Sequence, residues 1–190
     1  FWDRYQVSRR RVAREIERSA HEVERVEGLL WHGTSVVSPW DICRSDGLDF
    51  RCVSLGCCVL LRGCIGREVA LPIVHDTFHA FVQARDGGFY GRGLYFAARA
   101  GYCNENFAFT TGGTPRRKQL IYARVLTGRF WQCGMDVEDT LTKPPRGYHS
   151  VAGGPHKFDQ TCVEESEMWV VYDNAQVYPQ YIVEYVEEDE

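Results

Sequence analysis

The sequence has no surplus of positive charge. Its 190 residues carry 22 Lys+Arg against 26 Asp+Glu, a formal net charge of −4. Neutralising the phosphates of a nucleic acid takes excess Lys and Arg, so this balance argues against a nucleic-acid platform. No apolar run reaches the ~20 residues needed to cross a bilayer, so no membrane partner is expected. No secretory signal opens the chain, no internal repeat recurs along it, and no two cysteines have C-x-x-C spacing. The eight cysteines are Cys43, Cys52, Cys57, Cys58, Cys64, Cys103, Cys133 and Cys162. An even count permits a disulfide framework, but such frameworks serve short secreted chains whose cores are too small. With 44% hydrophobic residues over this length the chain can bury a core of its own. The expectation is one intracellular domain, cytoplasmic or nuclear, with reduced thiols. Phe1 is not an initiator methionine, and the chain is expected to be a piece of a longer protein.

What is there reads as α+β. Val12, Ile16, Ala20 and Val23 recur on one face of a helix of period 3.6, with Arg9, Arg10, Arg11, Arg14 and Arg18 around it. The basic run reads as a solvated helix face rather than a nucleic-acid contact. Gly28-Leu29-Leu30-Trp31-His32-Gly33-Thr34 reads as a buried strand delivering His32 to a turn. Ser38 before Pro39 marks a helix start, a cap followed by proline at the first helical position. Gly91-Arg92-Gly93-Leu94-Tyr95-Phe96-Ala97 reads as a glycine turn feeding an aromatic strand, and 119–126 as another strand. Residues 133–160 carry Gly, Pro, His and Asp without periodicity and read as a long loop. Met168–Tyr172 and Tyr181–Tyr185 read as two more strands, separated by Asp173-Asn174 and Tyr178-Pro179. Together these predict a helix or two and a mostly antiparallel sheet.

Two motifs suit chemistry. A histidine at a strand end can donate a hydrogen bond to a ribose hydroxyl, while the adjacent glycine lets a ligand approach its backbone. Gly91-Arg92-Gly93 lacks the third glycine of a dinucleotide loop and runs into an aromatic strand instead of a helix. Tyr95 is its more informative residue, because its ring can stack on a flat heterocycle and its hydroxyl can anchor a sugar.

The His-Gly-Thr of 32–34, the Gly-Arg-Gly-Leu-Tyr-Phe-Ala of 91–97, and Met-Trp-Val-Val-Tyr-Asp-Asn-Ala-Gln-Val-Tyr-Pro-Gln-Tyr-Ile-Val of 168–183 occur in this order. They resemble the catalytic domain of the poly(ADP-ribose) polymerase superfamily, the diphtheria-toxin-like ADP-ribosyltransferases. Trp2-Asp3-Arg4-Tyr5-Gln6 and Gln176–Ile182 resemble the branch that transfers single ADP-ribose units. The resemblance covers nearly the whole chain except 52–88, which reads as an insertion at the donor loop. It implies a split antiparallel β-sheet with flanking helices and an NAD cleft between the halves. NAD is then the co-substrate, protein side chains are the acceptors (this chain's own included), and no metal is required. Carried onto this sequence, His32 bonds the ribose of the nicotinamide half and Gly33 holds the carboxamide. Thr34 and Arg51 lie toward the adenosine half, and Tyr95 lies against the nicotinamide ring as the second residue of a His-Tyr-Glu triad.

The sequence departs from that pattern at three places. The third triad position is Met168, and a thioether neither accepts a strong hydrogen bond nor takes a proton. An apolar residue there is what the single-transfer branch shows, so the resemblance implies transfer of one unit. Glu167 is one residue away, but strand side chains alternate, so it points out of the site. Cys103 replaces a serine that bonds the nicotinamide amide, and Phe107, rather than Asn106 at the counted position, is the expected stacking ring. Within 52–88, Cys57, Cys64, His75 and His79 have no standard zinc-finger spacing; the alternative to a metal site is a packed insertion with buried cysteines and surface histidines, and a segment folded over the NAD cleft would obstruct it. Two other readings stay open: a catalytically inactive binding module, and an arginine-directed transferase using Glu165-Ser166-Glu167 as a Glu-x-Glu string.

Overall fold

The computed structural model describes residues 2–19, 25–35, 37–44 and 88–187. Arg51 and residues 52–87 of the 52–88 insertion, its cysteines and histidines included, lie outside the described residues. So do Ala20 and Val23 of the first helix pattern.

Helix α1 (Trp2–Arg18) buries Tyr5, Ser8 and Val12, spaced three and four apart so that they share one face. Its arginines face solvent, as the sequence predicts. The Tyr5 hydroxyl donates to Glu27, and Arg124 Nη1 reaches the same carboxylate at 2.9 Å. Tyr5 also packs on Tyr178, so α1 is held against the sheet by a mixed aromatic and ionic contact. Strand β1 (Gly28–His32) leads to α2 (Pro39–Arg44), where the Trp40 amide donates to the Ser38 hydroxyl at 3.3 Å, the cap expected from Ser38-Pro39.

The remaining elements are β2 (Leu94–Ala97), α3 (Ala100–Phe107), β3 (Phe109–Thr110), β4 (Lys118–Val125), β5 (Phe130–Gly134), β6 (Ser150–Lys157), β7 (Glu165–Val171) and β8 (Val177–Tyr185). The sheet runs β3-β4-β1-β2-β7-β6-β5, with β8 on the other edge of β4. Along the shared edge of β4, β1 pairs with 121–125 and β3 with 118–119. Thus β1 gives way to β3 there, and α3 lies immediately before the strand that takes over.

The sheet is mostly antiparallel, as the sequence predicts, with one parallel pair, β5 and β6, joined by a long connection. Two expectations are corrected. Residues 133–160 are not one loop: Cys133 lies in β5, and Ser150–Lys157 form β6. Gly153-Gly154-Pro155 masks β6 in the sequence, since these residues weaken ordinary strands. Here they sit at a register irregularity between β6 and β7, and a Cβ on Gly153 would lie 1.9 Å from the Tyr90 hydroxyl. Finally, Tyr178-Pro179 belongs to β8 instead of preceding it. Proline is tolerated because, among the described residues, β8 pairs only with β4, at a bulge near Ala123.

Both faces of the central strands are covered. On one, Leu30, Ile42, Leu94, Phe96, Ile121 and Val171 form a core. On the other, Tyr95, Ala97, Cys103, Phe107, Met168 and Val170 form a second. Alternate residues of β2 and β7 therefore enter opposite cores, each large side chain contributing ~1.5–3 kcal/mol. The second core carries the candidate site.

Candidate functional site

A cleft is lined by Trp31, His32, Gly33, Tyr95, Phe96, Ala97, Tyr102, Cys103, Phe107 and Met168. Its cavity volume is about 30 Å³, well below the range of drug-sized ligand sites, and it is partly open to solvent.

His32, the last residue of β1, is 3% exposed. Its Nδ1–H donates to the Tyr95 carbonyl oxygen at 2.8 Å. A carbonyl only accepts, so this contact fixes the tautomer and leaves Nε2 as the acceptor. Burial lowers the His32 pKa to about 4, partly opposed by that same hydrogen bond, so the ring is neutral at physiological pH. The sequence reading, with histidine donating to a ribose hydroxyl, is thereby reversed: the ring offers an acceptor.

Tyr95 presents its ring to the cleft, but its hydroxyl is committed elsewhere. It donates to the Gly91 carbonyl at 2.7 Å and accepts from the Tyr90 amide at 2.9 Å. The expected sugar anchor through this hydroxyl is not available; the ring face is what remains for a ligand. Burial raises its pKa well above the usual tyrosine range.

Gly33 is required by a protein contact. A Cβ there would stand 2.3 Å from Phe107 Cβ and 2.5 Å from the Phe107 carbonyl oxygen. The Ser35 amide donates to that carbonyl at 2.8 Å, so the chain after β1 is clamped to the end of α3. Thr34 is fully buried and its hydroxyl donates to the Val37 carbonyl. It closes its own turn and does not line the cleft.

Helix α3 supplies three walls. The sequence reading named no helix here, because Gly101 and two asparagines give the segment little helical signal. Cys103 is 3% exposed, with backbone groups of Gly33 and Ala97 within hydrogen-bond reach of its sulfur. Burial pushes its pKa up to about 12, so it remains a thiol and is no nucleophile. Phe107 lines the cleft and packs edge-to-face on Phe158 at 5.2 Å. Asn106 instead turns to the Tyr102 carbonyl and to Cys162.

Met168 is 1% exposed in β7, between Ala97 and Gly153. Glu165 and Glu167 alternate outward, and Glu167 borders a separate groove with Ala98 and Trp169. The Glu-x-Glu reading therefore lacks a carboxylate at the cleft. Sequence reasoning missed four wall residues, Trp31, Phe96, Ala97 and Tyr102, of which Phe96 and Ala97 simply follow Tyr95 along β2. Tyr102 reaches Met168 Sδ with its hydroxyl at 3.8 Å, and Trp31 stacks on Tyr122 at 4.4 Å between centroids. The signal for Trp31 was its place beside His32; Tyr102 needed α3 to be recognised.

The cleft thus unites His32, Gly33, Tyr95, Cys103, Phe107 and Met168, and leaves out Thr34. Among the described residues no group of His, Cys, Asp or Glu is arranged to hold a metal, and no helix is long and apolar enough to cross a membrane.

No family model matches the chain. Several curated proteins are similar to it, among them a human and a mouse protein. Human protein mono-ADP-ribosyltransferase PARP12 is 28% identical over 116 residues, 60% of this chain and 15% of that protein. Its mouse counterpart is 29% identical over 116 residues, with the same shares. The chain therefore spans a small part of the length of these relatives. The likeness supports a relationship to the poly(ADP-ribose) polymerase family.

Proposed function

We propose that this domain is an NAD-dependent protein mono-ADP-ribosyltransferase, releasing nicotinamide. The observation that carries the reading is the convergence of His32, Tyr95 and Phe107 on one cleft walled by Met168, in a chain similar to mono-ADP-ribosyltransferases. The lining suits the nicotinamide end of NAD: aromatic faces for a cationic ring, a neutral histidine acceptor for a ribose hydroxyl, and backbone amides at Gly33 for a carboxamide.

NAD supplies a weak bond. The ribose C1–N bond breaks with its electron pair passing to the ring nitrogen, and the acceptor side chain forms the new bond to C1 and loses its proton. This chain's contribution is orientation and exclusion of water rather than proton transfer. His32 Nε2 accepts from the ribose hydroxyl and holds the sugar still. The rings of Tyr95 and Phe107 flank the leaving heterocycle. Cys103 replaces a hydroxyl with a weaker hydrogen-bonding group, which loosens the grip on the carboxamide. Met168 offers no base to activate a second sugar, so transfer stops at one unit. Without a carboxylate in the cleft, the acceptor acts as its own base, which favours acidic or cysteine side chains.

Incubation with labelled NAD tests this. The expected product is protein bearing single ADP-ribose units on acidic or cysteine residues. Ladders of polymer contradict single transfer, and an acceptor map dominated by serine or lysine contradicts the self-activating acceptor. A second reading, an inactive binding module, draws on Met168 and Cys103 replacing hydrogen-bonding groups; absence of both label and NAD binding in folded protein selects it.

A further inference from the structure

The two residues that face the cleft as His32 and Tyr95 are the end of a longer hydrogen-bonded chain. The Tyr95 hydroxyl is held by the Tyr90 amide and the Gly91 carbonyl, so the turn at 88–91 sets where the Tyr95 ring stands. The Tyr95 carbonyl in turn fixes the His32 ring through Nδ1. Whatever fixes Tyr90 therefore fixes both.

Tyr90 is completely buried and is gripped at every polar atom. Its carbonyl accepts from the Tyr172 hydroxyl at 2.6 Å. Its own hydroxyl donates to the Gly134 carbonyl at 3.0 Å and lies 2.7 Å from His156 Nε2. One hydroxyl proton cannot serve two acceptors, so the arrangement that satisfies every partner has His156 Nε2–H donating to the Tyr90 oxygen. The His156 ring is itself locked by Phe89, stacked at 4.6 Å and nearly parallel. Gly153 leaves no room for Tyr90 to shift, since even a Cβ there would collide with its hydroxyl.

We propose that His156 and Tyr90 are positioning residues: they lock the 88–91 turn and, through it, set the placement of Tyr95 and the tautomer and orientation of His32. Neither lines the cleft. The chain of contacts runs from β6 through the turn and β2 to β1, crossing strands that are distant in sequence. This rests on the NAD reading for its catalytic consequence, but the geometric claim stands apart from it.

The test uses Tyr90→Phe, His156→Ala and His156→Gln, all assayed well below their melting temperatures. The amide of His156→Gln can still donate to Tyr90. Imidazole nitrogen NMR shifts of His32, read without NAD, are expected to move in Tyr90→Phe and His156→Ala and to return toward wild type in His156→Gln. The KM for NAD is expected to rise about tenfold in the first two, to stay within about twofold in His156→Gln, and to be no worse in the double variant Tyr90→Phe/His156→Ala than in either alone. Unmoved His32 shifts accompanying a lowered melting temperature overturn the proposal, because they mean the pair only stabilises the fold. A wild type that neither binds nor consumes NAD overturns the proposed function instead, and the His32 shifts still decide the positioning claim.

Discussion

His32 donates one ring proton to the Tyr95 carbonyl, and burial holds its pKa near about 4, below the ordinary 6.5. In the unfolded chain the same ring takes a proton below its ordinary pKa. Between those values the unfolded state binds more protons than the native state, so stability rises with pH across that window and is lost as pH falls through it. The shift corresponds to at most about 3 kcal/mol. Urea unfolding of wild type and His32→Gln at neutral pH and at about pH 4.5 is expected to show a steeper acid loss for wild type. Parallel losses contradict the buried neutral histidine. Because the ring does not titrate near neutrality, NAD affinity is also expected to stay flat where a free histidine would impose an inflection.

At the level of elements, the site depends on α3 reaching the end of β1. Gly33→Ala places a methyl against Phe107 Cβ and its carbonyl, and backbone cannot yield as a flexible side chain does. The expected cost is about 2–3 kcal/mol, read as a lowered denaturant midpoint with loss of NAD binding. Wild-type stability in this variant contradicts the clamp. On β7, Met168→Glu buries a carboxyl at a site where the Tyr102 hydroxyl lies 3.8 Å from the native sulfur. The expected result is about 2 kcal/mol of destabilisation and still only single-unit transfer; polymer ladders from this variant mean that position alone limits elongation.

These elements were unequally legible. The strands β1, β2, β4 and β7 announce themselves by apolar runs bounded by glycine or charge; their motifs marked His32, Gly33, Tyr95 and Met168, the family resemblance alone marked Cys103 and Phe107, and all six line one cleft. Helix α3 was silent because its sequence is fixed by what it touches: Gly101 lies against Glu164, and Tyr102, Cys103 and Phe107 face the core. Strand β6 was hidden because Gly153 is required by Tyr90, a contact across the sheet that no local pattern encodes. The hydroxyl of Tyr95 was misread for the same reason, its partners being the turn at 88–91.

Across the whole molecule, a sheet buried on both faces gathers residues from β1, β2, β7 and α3 into a cleft with aromatic walls and a neutral acceptor. In the proposed function this cleft orients NAD for transfer of one ADP-ribose. Its most direct test counts nicotinamide released and ADP-ribose bound to protein in the same sample, for wild type, His32→Ala and Tyr95→Ala, each checked for folding. The prediction is equal amounts of the two products in wild type, and a fall of at least about tenfold in both variants. Folded wild type that releases no nicotinamide, or variants that match it, would contradict the account.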